Sequence, residues 1–280
     1  MRISTECKQC LMDMAAQASG LASDVPHIRE AARLKAEQVV AEKLRPGSVS
    51  IVTAAALHSA VKEATGNPDP YRSMKDIELE EARMLFDLVK KSYKENFSHC
   101  LKLAALGNAI DFFRPIEEVK REITRNRPAF LIEDSRRLAA RVKRSRKILY
   151  LADNAGEVFF DLPLLKLMRR YARTVYVVKE APVQNDITIE EIERAGMRKE
   201  VGEVMTTGTA TAGIDFSQAS PAFIKAFERA DFVFAKGMGY YETLEELPAE
   251  GRIFFCLKAK CPPVARSLKV PINSYVAILH

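Results

Sequence analysis

The chain has 280 residues, 48% hydrophobic and 29% charged, a near-average globular composition that excludes disordered, collagen-like and disulfide-dense chains. No run approaches the ~20 apolar residues of a membrane span, MRISTECKQC lacks a signal-peptide core, and five cysteines are too few for a disulfide framework. These features predict a cytoplasmic protein of one large or two ordinary domains with no membrane partner, and the net charge of +6 leaves nucleic acid open as a partner class.

Up to about residue 115 the apolar residues follow a helical period. Helices are predicted over Met12–Leu21, His27–Leu44, Val52–Thr65, Asp76–Asn96 and Phe97–Phe113. Arg45-Pro46-Gly47 and Gly66-Asn67-Pro68-Asp69-Pro70 separate them as turns. The basic excess follows. Residues 1–146 hold 26 Lys and Arg against 20 Asp and Glu, whereas 147–280 hold 17 of each. Most of the surplus lies between Arg114 and Lys147, densest at Arg136-Arg137, Arg141, Lys143-Arg144 and Arg146-Lys147. Leu138 and Val142 stand four apart among them, as on a helix with a narrow buried stripe and a solvated basic face. No aromatic residues interleave with these charges to stack on bases, which weighs against a nucleic-acid surface.

From Lys147 the texture changes to short β-rich runs: Lys147–Ala152, Thr174–Lys179, Glu203–Thr206, Asp231–Ala235, Arg252–Leu257 and Ser274–Leu279. Helices are predicted between them at Val158–Arg170, at Thr188–Ala195 with a Thr188/Glu191 capping box, and at Pro221–Ala230 behind Ser220. The fold expected is α/β: a helical N-terminal region (1–146) packed on a doubly wound, mostly parallel α/β domain (147–280).

Open parallel sheets bind ligands beyond the carboxyl ends of their strands. Four successive strand ends carry unusual residues: Asp153-Asn154-Ala155-Gly156-Glu157, then Glu180 to Asp186, then Thr207 to Asp215, then Lys236-Gly237-Met238-Gly239. Asp153, Asn154 and Asp186 offer hard oxygen donors suited to Mg²⁺ or Mn²⁺. Glycines at 156, 208, 213, 237 and 239 allow backbone N–H groups to approach an anion, and Lys236 adds a point charge. Metal, lysine and amides together fit a phosphate group. A P-loop and a dinucleotide fingerprint are both absent, and Ala155 stands where an aspartyl-phosphate enzyme would carry its second Asp. Metal-activated water attacking phosphorus is the simpler route.

These residues resemble the metal-dependent damage-control phosphatases, also called domain-of-unknown-function family 89 or the acidic-residue-methyltransferase-like domain. The resemblance spans nearly the whole chain. It rests on Cys7-Lys8-Gln9-Cys10, Asp69-Pro70-Tyr71 with Lys75, Gly107-Asn108 with Asp111, Asp153 to Glu157, Asn185-Asp186, Lys236-Gly237 and Lys260-Cys261. It implies hydrolysis of small phosphorylated metabolites by a phosphoric monoester hydrolase using Mn, Ni, Co or Mg. By resemblance, Asp153, Asn154 and Asp186 form the metal triad and Lys236 contacts phosphate. Asn108 and Asp111 reach the same pocket from the helical part, and Gly156, Gly208 and Asp215 line the substrate. Either Asp186 or Glu157 positions the water. The paired cysteines and the run Met238-Gly239-Tyr240-Tyr241-Glu242 match the cysteine-bearing branch, in which Cys7, Cys10 and Cys261 are a candidate second metal or redox cluster. Cys256, in an apolar run, reads instead as a buried inert thiol.

His27, His58, His99 and His280 have no metal-ligand spacing, and Phe112-Phe113 and Phe223/Phe227 read as core. Two other functions stay open. A carboxyl methyltransferase would need a glycine-rich adenosylmethionine loop where this chain has only Gly156, and a nucleic-acid-binding module would leave the strand ends unexplained. Neither the physiological substrate nor the oligomeric state is legible.

Overall fold

The computed structural model describes all residues except 2, 3, 46, 109–116, 118–120, 122–128 and 249. In chain order the described elements begin with α1 (Thr5–Ala22), α2 (Pro26–Lys43), α3 (Ser50–Thr65), α4 (Arg72–Val89) and α5 (Phe97–Gly107). They continue with β1 (Phe130–Glu133), α6 (Ser135–Arg144), β2 (Lys147–Leu151), α7 (Glu157–Arg169), β3 (Arg173–Val178), α8 (Ile189–Arg194), α9 (Arg198–Val201) and β4 (Val204–Thr206). The last elements are α10 (Pro221–Glu228), β5 (Phe232–Lys236), α11 (Gly237–Leu244), β6 (Ile253–Ala259), α12 (Pro262–Leu268) and β7 (Ser274–Leu279).

The seven strands form one sheet in the order β1-β7-β6-β5-β2-β3-β4. From β6 to β4 all neighbours are parallel, while β7 runs antiparallel to β6 and parallel to β1. The central strands are continuous apolar runs because both faces are covered. Ile148, Tyr150, Phe232, Phe234 and Phe254 enter a core with α4 to α7, and Leu149, Leu151, Val233, Ala235 and Phe255 enter a second core with α10 to α12. α1 to α3 bury Leu11, Ala15, Ala36, Leu57 and Val61 in a third cluster that reaches Tyr71 and Met74. No helix among the described residues is long and apolar enough to cross a membrane.

The layers cross the expected boundary at 147. β1 pairs with β7, α6 buries Leu138 and Val142 in the sheet core, and α4 and α5 join the same core. Among the described residues, only α1 to α3 form a separate helical cluster, which reaches Met74 of α4. β1 is too short to stand out in the sequence: the four residues Phe130–Glu133 alternate half-buried with exposed.

The local signals otherwise act as read. Thr188 caps α8, with the Glu191 carboxylate accepting from the Thr188 N–H at 2.8 Å, and Ser220 caps α10. The helix predicted through Asn96 ends earlier, because Asn96 Oδ1 accepts the His99 N–H and starts α5 instead. Phe223 and Phe227 are core, and His58 is buried edge-on against Tyr71. Phe112, Phe113 and Asp111 lie outside the described residues.

Candidate active site

The strand order reverses between β2 and β5. β2 passes through α7 to β3 on one side, and β5 has β6 on the other. A crevice opens at the carboxyl ends of such a pair, and two helix N-termini, of α7 and α11, begin there. Close approach explains Gly237. It has φ +78°, and a β-carbon on it would lie 1.9 Å from Asp153 Oδ2.

Backbone contacts bring the three expected donors together. Asn154 and Asp186 form an isolated antiparallel bridge. Ala155 N–H donates to Asn185 O at 2.8 Å, and Ile187 N–H to Asp153 O at 2.9 Å. The loop after β2 is thereby sewn to the loop after β3.

Glu157, the first residue of α7, is fully buried and orients the donors. Its Oε1 accepts from Asn154 Nδ2 and Asn108 Nδ2, both at 2.8 Å, and Lys236 Nζ lies 2.5 Å from Oε2. With its amide nitrogen so engaged, Asn154 offers its carbonyl oxygen outward. Asn108 is fixed from both ends. Lys258 N–H donates to its Oδ1 at 3.0 Å, and its Nδ2 also donates to Asp153 Oδ2 at 2.9 Å. That leaves the other Asp153 oxygen for a ligand.

Electrostatics say what this arrangement lacks. Burial, then Glu157 and Asp186, hold the Asp153 carboxyl well above the usual carboxylate range. Burial pushes Asp186 up to about 6 against the opposing pull of Lys179. Asp186 Oδ2 is buried and accepts no hydrogen bond among the described residues, its partner Lys179 Nζ standing 3.5 Å away. Crowded carboxylates with an orphaned oxygen and an outward amide oxygen fit a hard divalent cation, which would relieve both repulsion and desolvation. Two carboxylates and an amide make up this donor set; among the described residues, no group of three or more His, Cys, Asp and Glu could hold a metal.

Lys236 does not take the place expected of a phosphate contact. Its ammonium is fully buried, donating to Ala104 O at 2.6 Å and Asp161 Oδ1 at 2.7 Å and pairing with Glu157. Burial opposes its charge, but Asp161 and Glu157 outweigh burial and raise its pKa. Asp161 is satisfied in turn by Tyr150 OH at 2.7 Å and Tyr176 OH at 2.9 Å. Lys236 therefore anchors Glu157 and Asp161 and has its ammonium buried between them.

Two site residues escaped the sequence reading. Lys179, just past β3, is fully buried with Nζ 3.0 Å from Gly213 O and 3.9 Å from the Tyr240 ring centroid, facing Asp186. Its position, like that of Lys236, at the end of an apolar strand was the available signal. Glu78 in α4 is 1% exposed. It accepts from Gly156 N–H at 3.1 Å and Asn185 Nδ2 at 3.0 Å, and burial pushes its pKa up to about 8. The signal was an acidic residue among the apolar positions Met74, Leu79 and Ala82 of one helix face.

The remaining candidates stand elsewhere. The Gly156 amide serves Glu78 rather than an anion, and a β-carbon there would meet Glu78 Cγ at 2.9 Å. Gly208, at φ +80°, packs its α-carbon where a side chain would strike Ser220 at 2.5 Å, so its glycine is explained by the turn against α10. Asp215 turns away to Ser217 and Gln218, with both carboxylate oxygens in local hydrogen bonds of 2.6 to 3.0 Å. Cys7, Cys10 and Cys261 line one cavity of about 150 Å³ with Glu6 and Glu242. Burial raises the Cys10 thiol and pushes Cys261 up to about 11. Cys256 is fully buried, as read.

Comparison with known proteins follows the same lines. The profile of the damage-control phosphatase ARMT1-like domain matches residues 3–276. A damage-control phosphatase of Pyrococcus horikoshii is 36% identical over 284 residues, covering 99% of this chain and 98% of that protein. One of Archaeoglobus fulgidus is 31% identical over 287 residues, covering 99% of each. The crystal structure of a DUF89 family protein from Pyrococcus horikoshii matches with a TM-score of 0.92 at 35% identity, covering 100% of this chain and 99% of that one.

Proposed function

Because the chain belongs to the damage-control phosphatase ARMT1-like domain family, we propose that it is a metal-dependent phosphatase hydrolysing monoesters of small phosphorylated metabolites. The observation that carries the metal reading is the meeting of Asp153, Asn154 and Asp186 at the reversal point of the sheet, with Asp186 Oδ2 buried and unbonded among the described residues. A divalent ion such as Mg²⁺, Mn²⁺, Co²⁺ or Ni²⁺ supplies Lewis-acid polarisation of the phosphoryl group and a lowered pKa for water.

The chain's own residues do the rest. Asp153, Asn154 Oδ1 and Asp186 would hold the ion. Asn108 and Glu157 fix the orientation of Asp153 and Asn154. Glu157 already accepts from two amides and pairs with Lys236, so Asp186 is the better placed of the two carboxylates to orient water. The N-termini of α7 and α11 add positive potential where charge develops on the phosphoryl oxygens. Lys179 pairs with Asp186 at 3.5 Å, burial lowering its pKa against the opposing pull of Asp186 and Asp153. The methyltransferase and nucleic-acid readings draw no support from any contact among the described residues.

Hydrolysis of p-nitrophenyl phosphate, sugar phosphates, nucleotides and phosphorylated cofactors with each of the four metals tests this reading. Activity should require metal and vanish in Asp153→Ala. Full activity of that folded variant, or equal turnover in EDTA, would overturn it.

A further inference from the structure

The metal donors sit on two separate loops, Asp153 and Asn154 after β2 and Asp186 after β3, so their spacing depends on how the loops are held together. Backbone bonds join the loops along one edge. A single side chain from a third element joins them again. Glu78 of α4 accepts from Gly156 N–H with one carboxylate oxygen and from Asn185 Nδ2 with the other. Gly156 follows Asn154 by two positions, and Asn185 immediately precedes Asp186.

The packing around this bridge is tight. A β-carbon at Gly156 would lie 2.9 Å from Glu78 Cγ and 3.0 Å from Ala82 Cβ, so glycine lets α4 press directly on the first loop. One turn before Glu78, buried Lys75 pairs with Asp69 at 2.8 Å and with Glu191 at 2.7 Å. Glu191 in turn holds Thr188, two residues past Asp186. α4 thus grips the second loop on both sides of its metal donor.

We propose that Glu78 is a positioning residue that sets the distance between the Asp153–Asn154 pair and Asp186, so that α4 determines the metal affinity of the site. This rests on the reading of those three residues as a metal centre. The bridge needs length and two polar ends rather than charge. A glutamine spans it equally, accepting from Gly156 N–H and donating to Asn185 once that amide turns over. An aspartate keeps the carboxyl group but falls one methylene short of bridging both loops.

The test is Mn²⁺ binding by isothermal titration calorimetry to the purified full-length chain, with thermal melts alongside. Glu78→Gln is expected to bind Mn²⁺ as the native chain does, and Glu78→Asp about 10- to 100-fold more weakly. Glu78→Asp binding as tightly as the native chain, with only its melting temperature lowered, reduces Glu78 to a structural role and overturns the proposal. Glu78→Gln binding as weakly as Glu78→Asp overturns it too, since a side chain that keeps the span would then fail to keep the affinity. Absence of Mn²⁺ binding by the native chain instead overturns the metal centre itself, separating that failure from failure of the bridge.

Discussion

Gly237 and Asp153 share one volume: the carboxylate of Asp153 fills the space where Gly237 would carry a β-carbon, 1.9 Å from Oδ2. The contact arises because β2 and β5 are neighbours whose chains leave the sheet in different directions. Gly237→Ala should therefore displace Asp153 while leaving the sheet intact. The positive φ costs about 1–2 kcal/mol of stability, and the displaced carboxylate about a hundredfold in kcat/KM. Circular dichroism melts and p-nitrophenyl phosphate kinetics check both.

Asp153 is held protonated-prone by burial and by Glu157 and Asp186. Asp153→Asn removes that repulsion and keeps the shape. The metal-free variant should melt above the metal-free native chain and lose metal-dependent activity. A lower melting temperature would show that the Asp153 charge is not a strain on the fold.

Glu78 makes the metal-free protein pH-sensitive. Its folded pKa of about 8 lies above its ordinary value of 4.5, so between them the folded chain binds a proton that the unfolded chain releases. Stability should thus be fullest below that window and fall as pH rises through it. Asp186 acts in the same direction at lower pH, up to about 6, and buried His58, lowered to about 3, acts in the opposite direction below 6.5. Between pH 6.5 and 8 Glu78 dominates these three, and urea unfolding should lose about 1–2 kcal/mol across that interval. Glu78→Gln should remove the Glu78 share of the slope and leave that of Asp153, which is raised in the same direction.

Lys236→Met separates an anchoring lysine from a phosphate-contacting one. It strands Glu157 and Asp161 as buried charges, which costs about 3–5 kcal/mol. The melting temperature should fall sharply even without substrate or metal. A raised KM with an unchanged melt would instead restore Lys236 to the substrate.

Much of this site lies in plain view along the chain. Asp153-Asn154 and Gly237 stand directly after apolar strand runs and Asp186 in the loop that follows another, and in a parallel sheet that position sends them to one edge. The capping signals at Thr188 and Ser220 are equally local and act where they stand. Glu78 stood out only as a carboxylate on a buried helix face, and its role was hidden for the opposite reason. A carboxylate within α4 acquires meaning only when Gly156 and Asn185, far away in sequence, are packed against it.

The amino-acid sequence by itself determined the strand and helix periods, the small residues that let backbones approach and the donors at the strand ends, because each depends on neighbours within a few positions. Tertiary structure alone decided which lysine faces what and where the helical part ends. Lys236 and Lys179 both close an apolar strand, yet Asp161 and two tyrosines wait beneath the first and Asp186 and Tyr240 beside the second. A buried charge takes its role from the partners that compensate it, and those partners arrive only through packing.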